Sequence, residues 1–496
     1  MVVASLEVST TSAKCILYSG EGESSGVLAE ASRRYCPDVA DGPTQDPVGM
    51  VDCALDVLRQ MVQAAEARGH RIEAIGLTGT WHSMLPLDGE RKPLGRIMTW
   101  ADLSGAEHAA VQRGDEGMVQ RFYHTTGCMV HAMYPAWKWH YVRSSRPELA
   151  ERARFIASQT EFLFESLTGQ AAVSRSLASG TGLFNIHTLD WDEWVLQLVG
   201  LRREQLAPLV EGTHWAPLLP EMAEQVGLPA GLPVTVGCAD GAMNQLAIGG
   251  LAGGAMSMSV GTSGALRVTH TEPRIPDTPS TWCYYLLHGR RLAGAAVNNA
   301  TNCVDWFLST TGAAELTPEV YDRYSEAVAG VDGRRAPIFM PFLFGERCPG
   351  WNENRSGGFV GLRSTHGTYD MYYAVLEGIL FNMRQCYDIL VQVGDWPERV
   401  LVSGGITNSE PWMQLAADVM GRELLVTGTA NESTVGGALV ALMVAQGDSA
   451  CEGINQQVDC IQRRSAAVKR YVPRTGADAV IGPRYQRYLE LYAMHQ

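Results

Sequence analysis

Residues 234–264 read VTVGCADGAMNQLAIGGLAGGAMSMSVGTSG, and this stretch decides the predicted fold and its chemistry. An apolar run over 233–237 is typical of a strand and ends in a Gly-bounded break that carries Asp240. A second strand-like run over 256–260 ends in the Gly-Thr-Ser-Gly turn at 261–264. An isolated carboxylate beside an amide-rich turn would place a general base next to a phosphate-binding site. The stretch therefore suggests a phosphotransferase that acts on a hydroxyl group.

Each part of this stretch has a plainer explanation when it is taken alone. The turn at 261–264 can be an ordinary hairpin turn. Asp240 can cap the helix that follows it, which is a common role for aspartate. The order in which these and the following motifs occur is what favours the catalytic interpretation.

Length and composition are those of an ordinary globular protein. The 496 residues favour two or more domains, 46% of them are hydrophobic, and the formal net charge is −14. This acidic balance argues against binding to nucleic acids or acidic membranes, which requires a basic surface. No run approaches the roughly 18 apolar residues of a membrane span, and the N-terminus lacks the pattern of a signal peptide. Eleven scattered cysteines without a C-x-x-C pair fit a reducing compartment, so we expect a cytoplasmic protein.

A strand–turn–strand pattern occurs twice in the chain. It appears first over 4–18, around a turn at 9–12, and again over 256–268. The copies lie about half the chain apart, which suggests a duplicated domain. Helical patterns at 46–67 and 147–167 alternate with strand-like runs elsewhere, and this alternation predicts an α/β fold.

The predicted boundary between two domains lies where small residues concentrate, near 247–254. We therefore expect an N-terminal domain of residues 1–246 and a C-terminal domain of residues 247–496. Further strands are expected at 72–78, 233–237, 399–402 and 423–426.

Four further short motifs are candidates for ligand contact. Glycines in the segment 403–408 allow the backbone to approach a flat ligand or a phosphate. The segment 432–438 opens a helix whose small residues allow close packing. The segments Trp81-His82-Ser83 and Trp100-Ala101-Asp102 combine aromatic walls with hydrogen-bonding groups, which suits a polyhydroxy compound, and the first should lie at a strand end. Each motif can instead be an ordinary turn, a tight helix contact or a half-buried aromatic residue.

Motifs of other nucleotide and metal enzymes are absent from the sequence. It contains no G-x-x-x-x-G-K-[ST] loop, no complete G-x-G-x-x-G and no H-E-x-x-H. These absences weaken the case for a P-loop kinase, a dinucleotide-dependent dehydrogenase or a zinc hydrolase.

In their order, these motifs resemble those of the FGGY family of carbohydrate kinases over nearly the full chain. Within the family the sequence looks most like the gluconokinases, and the xylulokinases share the general plan. The motifs that carry the resemblance are Thr10-Thr11-Ser12-Ala13-Lys14, Trp81-His82-Ser83, Trp100-Ala101-Asp102, Cys238-Ala239-Asp240-Gly241, Gly261-Thr262-Ser263-Gly264, Gly345-Glu346-Arg347 and Ser403-Gly404-Gly405.

The resemblance implies two actin-like, ribonuclease-H-like domains with a catalytic cleft between them. It implies that ATP lies mostly on the C-terminal domain and the sugar on the N-terminal one, that Mg²⁺ assists, and that a homodimer is compatible with the fold. By the same resemblance, Asp240 is the catalytic base, and the sugar beside it is contacted by Trp81, His82 and Asp102. The phosphates face Gly261 and Thr262 on one side and an N-terminal hairpin with Thr10, Thr11 and Lys14 on the other. The adenosine is bordered by Gly404, Gly405 and Asn408, and the metal lies at Glu7 and Asp240.

The sequence departs from the family pattern at the hairpin and at the sugar. The family usually begins the hairpin Asp-x-Gly-Thr-Thr, whereas residues 7–11 here read Glu-Val-Ser-Thr-Thr. Glu7 keeps the charge on a longer side chain, and Ser9 adds a side chain where backbone normally approaches phosphate closely. Trp81 is bulkier than the family's usual methionine, which bears on the identity of the sugar.

The predicted reaction is ATP-dependent phosphorylation of a primary hydroxyl group on gluconate or a similar open-chain sugar. The carboxylate of gluconate requires a cationic or amide-rich partner, and Arg347 is a candidate, although it can also brace its own loop. The alternatives are a pentulose kinase such as xylulokinase, and a nucleotide-binding sensor without catalytic activity.

Overall fold

A computed structural model of the protein describes residues 1–20, 26–312, 315–426, 432–447 and 469–494. These residues form two α/β halves, each built on a seven-stranded sheet. The helices are α1 Pro47–Glu66, α2 Ala106–Gln112, α3 Glu116–Thr126, α4 Pro135–Ser145, α5 Pro147–Arg152, α6 Gln159–Thr168, α7 Arg175–Ser179, α8 Glu193–Val199, α9 Pro220–Val226, α10 Asp240–Ala247, α11 Thr301–Thr310, α12 Pro318–Val328, α13 Thr368–Val393, α14 Glu410–Met420, α15 Glu432–Gln446 and α16 Asp478–Met494. None of these helices, within the described ranges, is both long and apolar enough to cross a membrane.

The first sheet is organised around the strand–turn–strand pattern near the N-terminus. Its strands are β1 Val2–Val8, β2 Ser12–Ser19, β3 Gly26–Arg34, β4 Ile72–Gly79, β5 Trp215–Pro217, β6 Pro233–Thr235 and β7 Cys238–Ala239. They lie in the order β5–β6–β4–β1–β2–β3, and β7 extends the line of β6 along β4. Strand β1 is antiparallel to β2 and parallel to β4. Its sequence, VVASLEV, is buried over nearly its whole length, as expected of a central strand covered on both faces.

The second sheet repeats this plan in the second half of the chain. Its strands are β8 Ala255–Val260, β9 Gly264–His270, β10 Trp282–Tyr285, β11 Arg291–Val297, β12 Arg399–Ser403, β13 Leu424–Val426 and β14 Arg470–Tyr471. They lie in the order β10–β11–β9–β8–β12–β13–β14. Strand β8 is antiparallel to β9 and parallel to β12, as β1 is to β2 and β4. The repeated hairpin predicted from the sequence is therefore confirmed as a repeated sheet topology.

Short strands outside the two sheets form small ladders and turns. They are Ala40–Asp41, Thr44–Gln45, Leu85–Leu87, Ile97–Met98, Phe155–Ala157, Val173–Ser174, Phe184–Asn185, Asp190–Trp191, Leu209–Val210, Ile338–Met340 and Gly358–Val360. Short 3₁₀ turns occur at Arg203–Gln205, Gly250–Ala252, Gly333–Arg335 and Gly405–Asn408.

The prediction of one helix over 147–167 is wrong. The chain forms α5, then the strand Phe155–Ala157, then α6. The strand pairs with Leu85–Leu87, which removes its backbone from any helix. Ser158 then starts α6 with a capping box, because its hydroxyl accepts from the Glu161 amide and the Glu161 carboxylate accepts from the Ser158 amide. The predicted helix at 46–67 is confirmed as α1, which Asp46 caps.

Helix α15 belongs to the second half of the sequence but packs against β1 and β4 of the first sheet and against α10. Small residues make this packing possible. A Cβ atom on Gly436 would lie 2.1 Å from the Met243 carbonyl oxygen, and one on Gly76 would lie 2.2 Å from that of Gly437. The close packing suggested for the segment 432–438 is therefore present. It joins the two halves directly behind the strand ends that carry the candidate site.

Candidate active site

Asp240 is the first residue of α10 and directly follows β7 at the carboxyl end of the first sheet. Its Oδ1 accepts a hydrogen bond of 2.6 Å from the Gly241 amide, and the side chain is partly open to solvent. Burial, followed by the negative charge of Glu7, raises the pKa of Asp240 to about 6, although Arg267 opposes the shift. A carboxyl group with a pKa near 6 is suited to proton transfer close to neutral pH.

Glu7 lies near the end of β1, close enough to Asp240 for the two carboxylates to repel. Its Oε2 accepts a hydrogen bond of 2.7 Å from Ser433 Oγ at the start of α15. Lys14 stands directly opposite Glu7 in the β1–β2 pairing. The three elements β1, β2 and α15 thus meet beside Asp240.

Arg267 was not singled out in the sequence, yet it adjoins Asp240. It lies on β9, and a Cβ atom on Gly241 would be 2.9 Å from Arg267 Nε. Its Nη1 donates a long hydrogen bond of 3.5 Å to Ser259 Oγ, and its Nε is buried without a partner in the described part of the chain. The positive charge of Arg267 lowers the pKa of Asp240 and so favours the carboxylate form. The sequence signal that could have identified Arg267 is a single arginine within the strand that directly follows the Gly-Thr-Ser-Gly turn.

The N-terminal hairpin is closed by the hydroxyl of Ser9. Ser9 Oγ accepts hydrogen bonds from the amides of Ser12, at 3.1 Å, and Thr11, at 3.3 Å. Thr10 Oγ1 accepts a hydrogen bond of 2.9 Å from Trp100 Nε1. The extra side chain at position 9 is therefore used within the turn, while Thr11 remains exposed.

The turn after β8 and the turn after β12 lie side by side, because these strands are parallel neighbours. Gly404 has a φ of 92°, and a Cβ atom there would be 2.5 Å from the Val260 carbonyl oxygen, so only glycine fits without strain. Four residues of this edge that were predicted to meet a nucleotide are exposed, namely Thr262, Gly404, Gly405 and Asn408, whereas Gly261 is partly buried. The Thr301 amide at the start of α11 donates a 2.8 Å hydrogen bond to the Gly261 carbonyl oxygen.

Trp81 and His82 form a buried wall beside Asp240. Trp81 Nε1 donates a hydrogen bond of 2.9 Å to the Ser176 carbonyl oxygen, and a Cβ atom on Gly241 would lie 2.5 Å from Trp81 Cζ3. His82 Nδ1 lies 2.6 Å from the Gly180 carbonyl oxygen, so Nδ1 must carry the proton and Nε2 is left as an acceptor. Burial lowers the pKa of His82 well below its usual value, and the charges of Arg347 and Lys138 lower it further. His82 therefore offers a neutral acceptor to a hydroxyl group.

A cavity of about 420 Å³ opens between the two halves. Its lining includes Trp100, His131 and Met133 from the first half and Thr262, Phe344 and Arg347 from the second. Arg347 Nε is buried and has no hydrogen-bond partner among the described residues. A guanidinium group without a partner at a cavity wall is suited to an anionic ligand.

Glu353 closes one side of this cavity with an ion pair between the halves. Arg113 donates to both of its carboxylate oxygens, at 3.0 and 2.8 Å, and His131 Nε2 lies 3.2 Å from Oε1. The negative charge of Glu353 is therefore offset by Arg113.

Asp102 is buried in the turn that begins at Thr99, and its Oδ1 accepts a 2.9 Å hydrogen bond from the Ser104 amide. Its side chain lines a neighbouring cavity of about 390 Å³, whereas Trp100, Ala101 and Leu103 line the 420 Å³ cavity. The structure thus brings Trp81 and Glu7 close to Asp240, with His82 stacked on Trp81, and places Asp102 at the neighbouring cavity.

The pair Glu7 and Asp240 fits a Mg²⁺ ion, which prefers one or two carboxylates and completes its shell with water and substrate phosphates. Their mutual repulsion, visible in the raised pKa of Asp240, would be relieved by a cation. Among the described residues no group of three or more histidine, cysteine or acidic side chains could hold a metal.

Comparison with known proteins gives matches to both halves of the chain. Residues 2–247 match the FGGY family of carbohydrate kinases, N-terminal domain, and residues 256–445 match the C-terminal domain of the same family. The gluconokinase of Bacillus subtilis (strain 168) is 28% identical over 446 residues, which cover 88% of this chain and 86% of that protein. The xylulose kinase of Escherichia coli (strain K12) is 28% identical over 426 residues, which cover 85% and 84%.

Among solved structures, the gluconate kinase from Lactobacillus acidophilus superimposes with a TM-score of 0.90 at 25% sequence identity. The superposition covers 100% of this chain and 98% of that one. The two-half α/β architecture is therefore shared over the whole length.

Proposed function

Because the chain belongs to the FGGY family of carbohydrate kinases, we propose that it transfers the γ-phosphate of ATP to a primary hydroxyl group of gluconate or a similar open-chain sugar. Membership in the family, together with its two-domain α/β kinase fold, confirms the prediction drawn from the ordered motifs. It makes the chain an ATP-dependent carbohydrate kinase. The choice of gluconate, and the roles of individual residues, are the proposal.

Arg347 is the observation that carries the choice of a sugar acid. Its Nε is buried without a partner at the wall of the cavity between the halves. Its charge also lowers the pKa of His82 and of His131, so its field reaches across this cavity. A carboxylate held there would satisfy the guanidinium with charge-assisted hydrogen bonds. The sequence similarity to a gluconokinase supports the same substrate.

Asp240 is the proposed general base. Its carboxylate stands at the strand end, beside the Trp81–His82 wall that we assign to the sugar. It would orient the reacting hydroxyl group and take its proton as the phosphoryl group is transferred. His82 Nε2 would accept a hydrogen bond from a neighbouring hydroxyl, and Asp102 stays a candidate for sugar contact from the adjoining turn.

The two hairpin turns are the proposed phosphate sites. The turn with Gly261 and Thr262 would hold ATP phosphates from one side, through the Thr262 amide and hydroxyl. The Thr10 amide and the hydroxyls of Thr10 and Thr11 would hold them from the other side, with Lys14 nearby. Gly404, Gly405 and Asn408 would border the adenosine. Mg²⁺ held by Glu7 and Asp240 would offset negative charge on the phosphate oxygens when bound.

We further propose that residues 1–246 and 247–496 act as the two domains and that they close on the substrates. Closure would exclude water from the cavity and limit hydrolysis of ATP without sugar. The ion pair from Glu353 to Arg113 joins the two proposed domains at the cavity wall, which supports a closed arrangement of this kind. We also propose that the protein acts in the cytoplasm and forms a homodimer.

A pentulose kinase is the second candidate. The similarity to a xylulose kinase, at the same 28% identity, favours it. An ADP-release screen with purified protein over gluconate, xylulose, ribulose and glycerol separates the candidates. The expected result is the highest kcat/KM on gluconate. A preference for xylulose or ribulose would replace gluconate as substrate, and ATP binding without turnover on any sugar would favour a non-catalytic sensor.

A further inference from the structure

Two buried glutamines hold the carbonyl groups of the N-terminal hairpin. Gln45 Nε2 donates to the carbonyl oxygens of Ser9, at 2.8 Å, and of Thr10, at 2.7 Å. Gln159 Nε2 donates to the same Ser9 carbonyl at 3.0 Å. Both glutamines are fully buried, with 0% of their surface exposed. The turn that we assign to phosphate binding is therefore held in place by hydrogen bonds from two side-chain amides.

Gln159 also reaches the segment that carries Trp81 and His82. Thr80 Oγ1 donates to Gln159 Oε1 at 2.9 Å, and the Gln159 backbone N–H donates to Ser83 Oγ at 2.9 Å. These two contacts lie immediately before and immediately after the Trp81–His82 pair. One residue at the start of α6 thus contacts both ends of the sugar-side segment and the hairpin.

The hydrogen bonds of the Gln159 side-chain amide allow only one orientation of that group. Its Nε2 donates to the Ser9 carbonyl and to Gln45 Oε1, the latter at 2.7 Å, while its Oε1 accepts from Thr80. Reversing the amide would face two acceptors with an oxygen, and buried groups without partners are costly. A displacement of Thr80 is therefore transmitted to Ser9 through a side chain that cannot rotate freely.

We propose that Gln159 is a positioning residue that couples occupation of the sugar segment to placement of the phosphate hairpin. The inference rests on the proposed function, since it requires that sugar contacts Trp81 and His82 and that ATP phosphates contact Thr10 and Thr11. A sugar that restrains the segment 80–83 restrains Gln159, and Gln159 then holds the Ser9 carbonyl in the position that presents the hairpin amides. Bound sugar should in this way raise the affinity for nucleotide, and the reverse should hold to the same extent.

The test compares three single variants, each made by removing polar atoms while keeping similar volume. Gln159→Leu removes the side-chain contacts to Thr80 and to the hairpin, and Thr80→Val removes the side-chain contact to the sugar segment alone. Both leave the backbone contact of residue 159 to Ser83 in place. Gln45→Leu removes support for the hairpin but leaves the Thr80–Gln159 contact. Nucleotide affinity is measured by calorimetry with and without the sugar that the wild type phosphorylates. The ratio of the two affinities is the coupling factor.

We expect sugar to tighten nucleotide binding by about 5-fold or more in the wild type, within the usual range of coupling between sites. The factor should fall close to one in Gln159→Leu and in Thr80→Val. Gln45→Leu should weaken nucleotide binding by the same factor with and without sugar. Because Gln159→Leu also removes a direct support of the hairpin, the KM for ATP at saturating sugar should rise more than the KM for sugar in this variant, whereas in Thr80→Val the two should rise by similar factors.

An unchanged coupling factor in Gln159→Leu, in a folded and active protein, would overturn this inference and leave the proposed function intact. A loss of coupling in Gln45→Leu equal to that in Gln159→Leu would also overturn it, because the glutamines would then act only as a shared support. A wild type that phosphorylates no sugar would overturn both proposals.

Discussion

Ser433 Oγ donates a hydrogen bond of 2.7 Å to Glu7 Oε2, which ties the first turn of α15 to β1 of the first sheet. The family's usual aspartate at position 7 would be one methylene shorter than this glutamate. The longer side chain therefore has a use in this chain, because it reaches a partner that the second half supplies. The same carboxylate also stands close enough to Asp240 to raise its pKa.

The first prediction concerns the pH dependence of the reaction. A general base must be deprotonated, and burial together with Glu7 raises the pKa of Asp240 to about 6. The value of kcat/KM for MgATP, which reports the enzyme before Mg²⁺ is bound, should therefore be constant above this pH and fall as the pH decreases through about 6. Glu7→Gln keeps an acceptor for Ser433 but removes the charge, so it should move this acidic limb to lower pH.

Ser433→Ala is the matched control for that experiment. It removes the hydrogen bond to Glu7 and leaves the charge in place, so the acidic limb should stay within measurement error of the wild type. An acidic limb that does not move in Glu7→Gln would contradict the assignment of this ionisation to Asp240.

The second prediction is that Asp240→Asn removes the base without disturbing the fold. Sugar-dependent ADP release should fall by about 10²- to 10⁴-fold, the usual contribution of a general base. Nucleotide binding, measured by calorimetry, should persist because the turns after β8 and β12 are unchanged. Turnover close to the wild-type value would exclude Asp240 as the base.

Much of this site could be predicted because its signals are local. Asp240 at a strand end and the turn after β8 are both marked by glycines next to apolar runs, and the structure places them as expected. The split of the predicted helix at 147–167 could have been read from the Ser158–Glu161 capping box. The apolar spacing of the segment favours one continuous helix, whereas the capping box favours a helix that begins at Ser158. The pairing of Phe155–Ala157 with Leu85–Leu87 decides for the second.

The remaining features depend on contacts between distant residues. Arg113 and Glu353 are 240 positions apart, and nothing near either residue indicates the other. The contact of α15 with the first sheet likewise follows from the way the two halves pack. Periodicity in a sequence predicts which face of an element is buried, but it does not identify the element that covers it.

The third prediction tests Arg347 as the partner of a substrate carboxylate. Arg347→Met should raise the KM for gluconate by about 10- to 100-fold, since hydrogen bonds to charged groups contribute about 1.5–3 kcal/mol. The KM for a neutral sugar such as xylulose should change far less, because it has no carboxylate to lose. Steady-state kinetics on both sugars provide the comparison.

Arg363→Met provides the control for the loss of one positive charge, because Arg363 is exposed and does not line the cavity. It should leave both KM values unchanged. Equal effects of Arg347→Met on gluconate and on xylulose would show that Arg347 braces its loop and does not recognise the carboxylate.

The fourth prediction concerns a buried ion pair that holds α16 to α13. Arg484 Nε donates to Glu377 Oε1 at 2.8 Å, and Arg484 Nη1 and Nη2 donate to the carbonyl oxygens of Ala336 and Pro337. The Glu377 side chain is only 1% exposed, so burial raises its pKa while Arg484 opposes the rise. Arg484→Met would leave this carboxylate buried and unpaired, which typically costs about 3–5 kcal/mol.

Chemical denaturation followed by tryptophan fluorescence measures this decrease in the free energy of unfolding of the second half of the chain. The control is Arg487→Met on the same helix, because the Arg487–Glu490 pair is 51% and 59% exposed and should contribute at most about 1 kcal/mol. Replacing both partners, in Arg484→Met with Glu377→Leu, should recover much of the stability, since no charge is then left without a partner. If Arg484→Met destabilises the protein no more than Arg487→Met, the pair does not anchor α16, and the hydrogen bonds to the two carbonyls are equally dispensable.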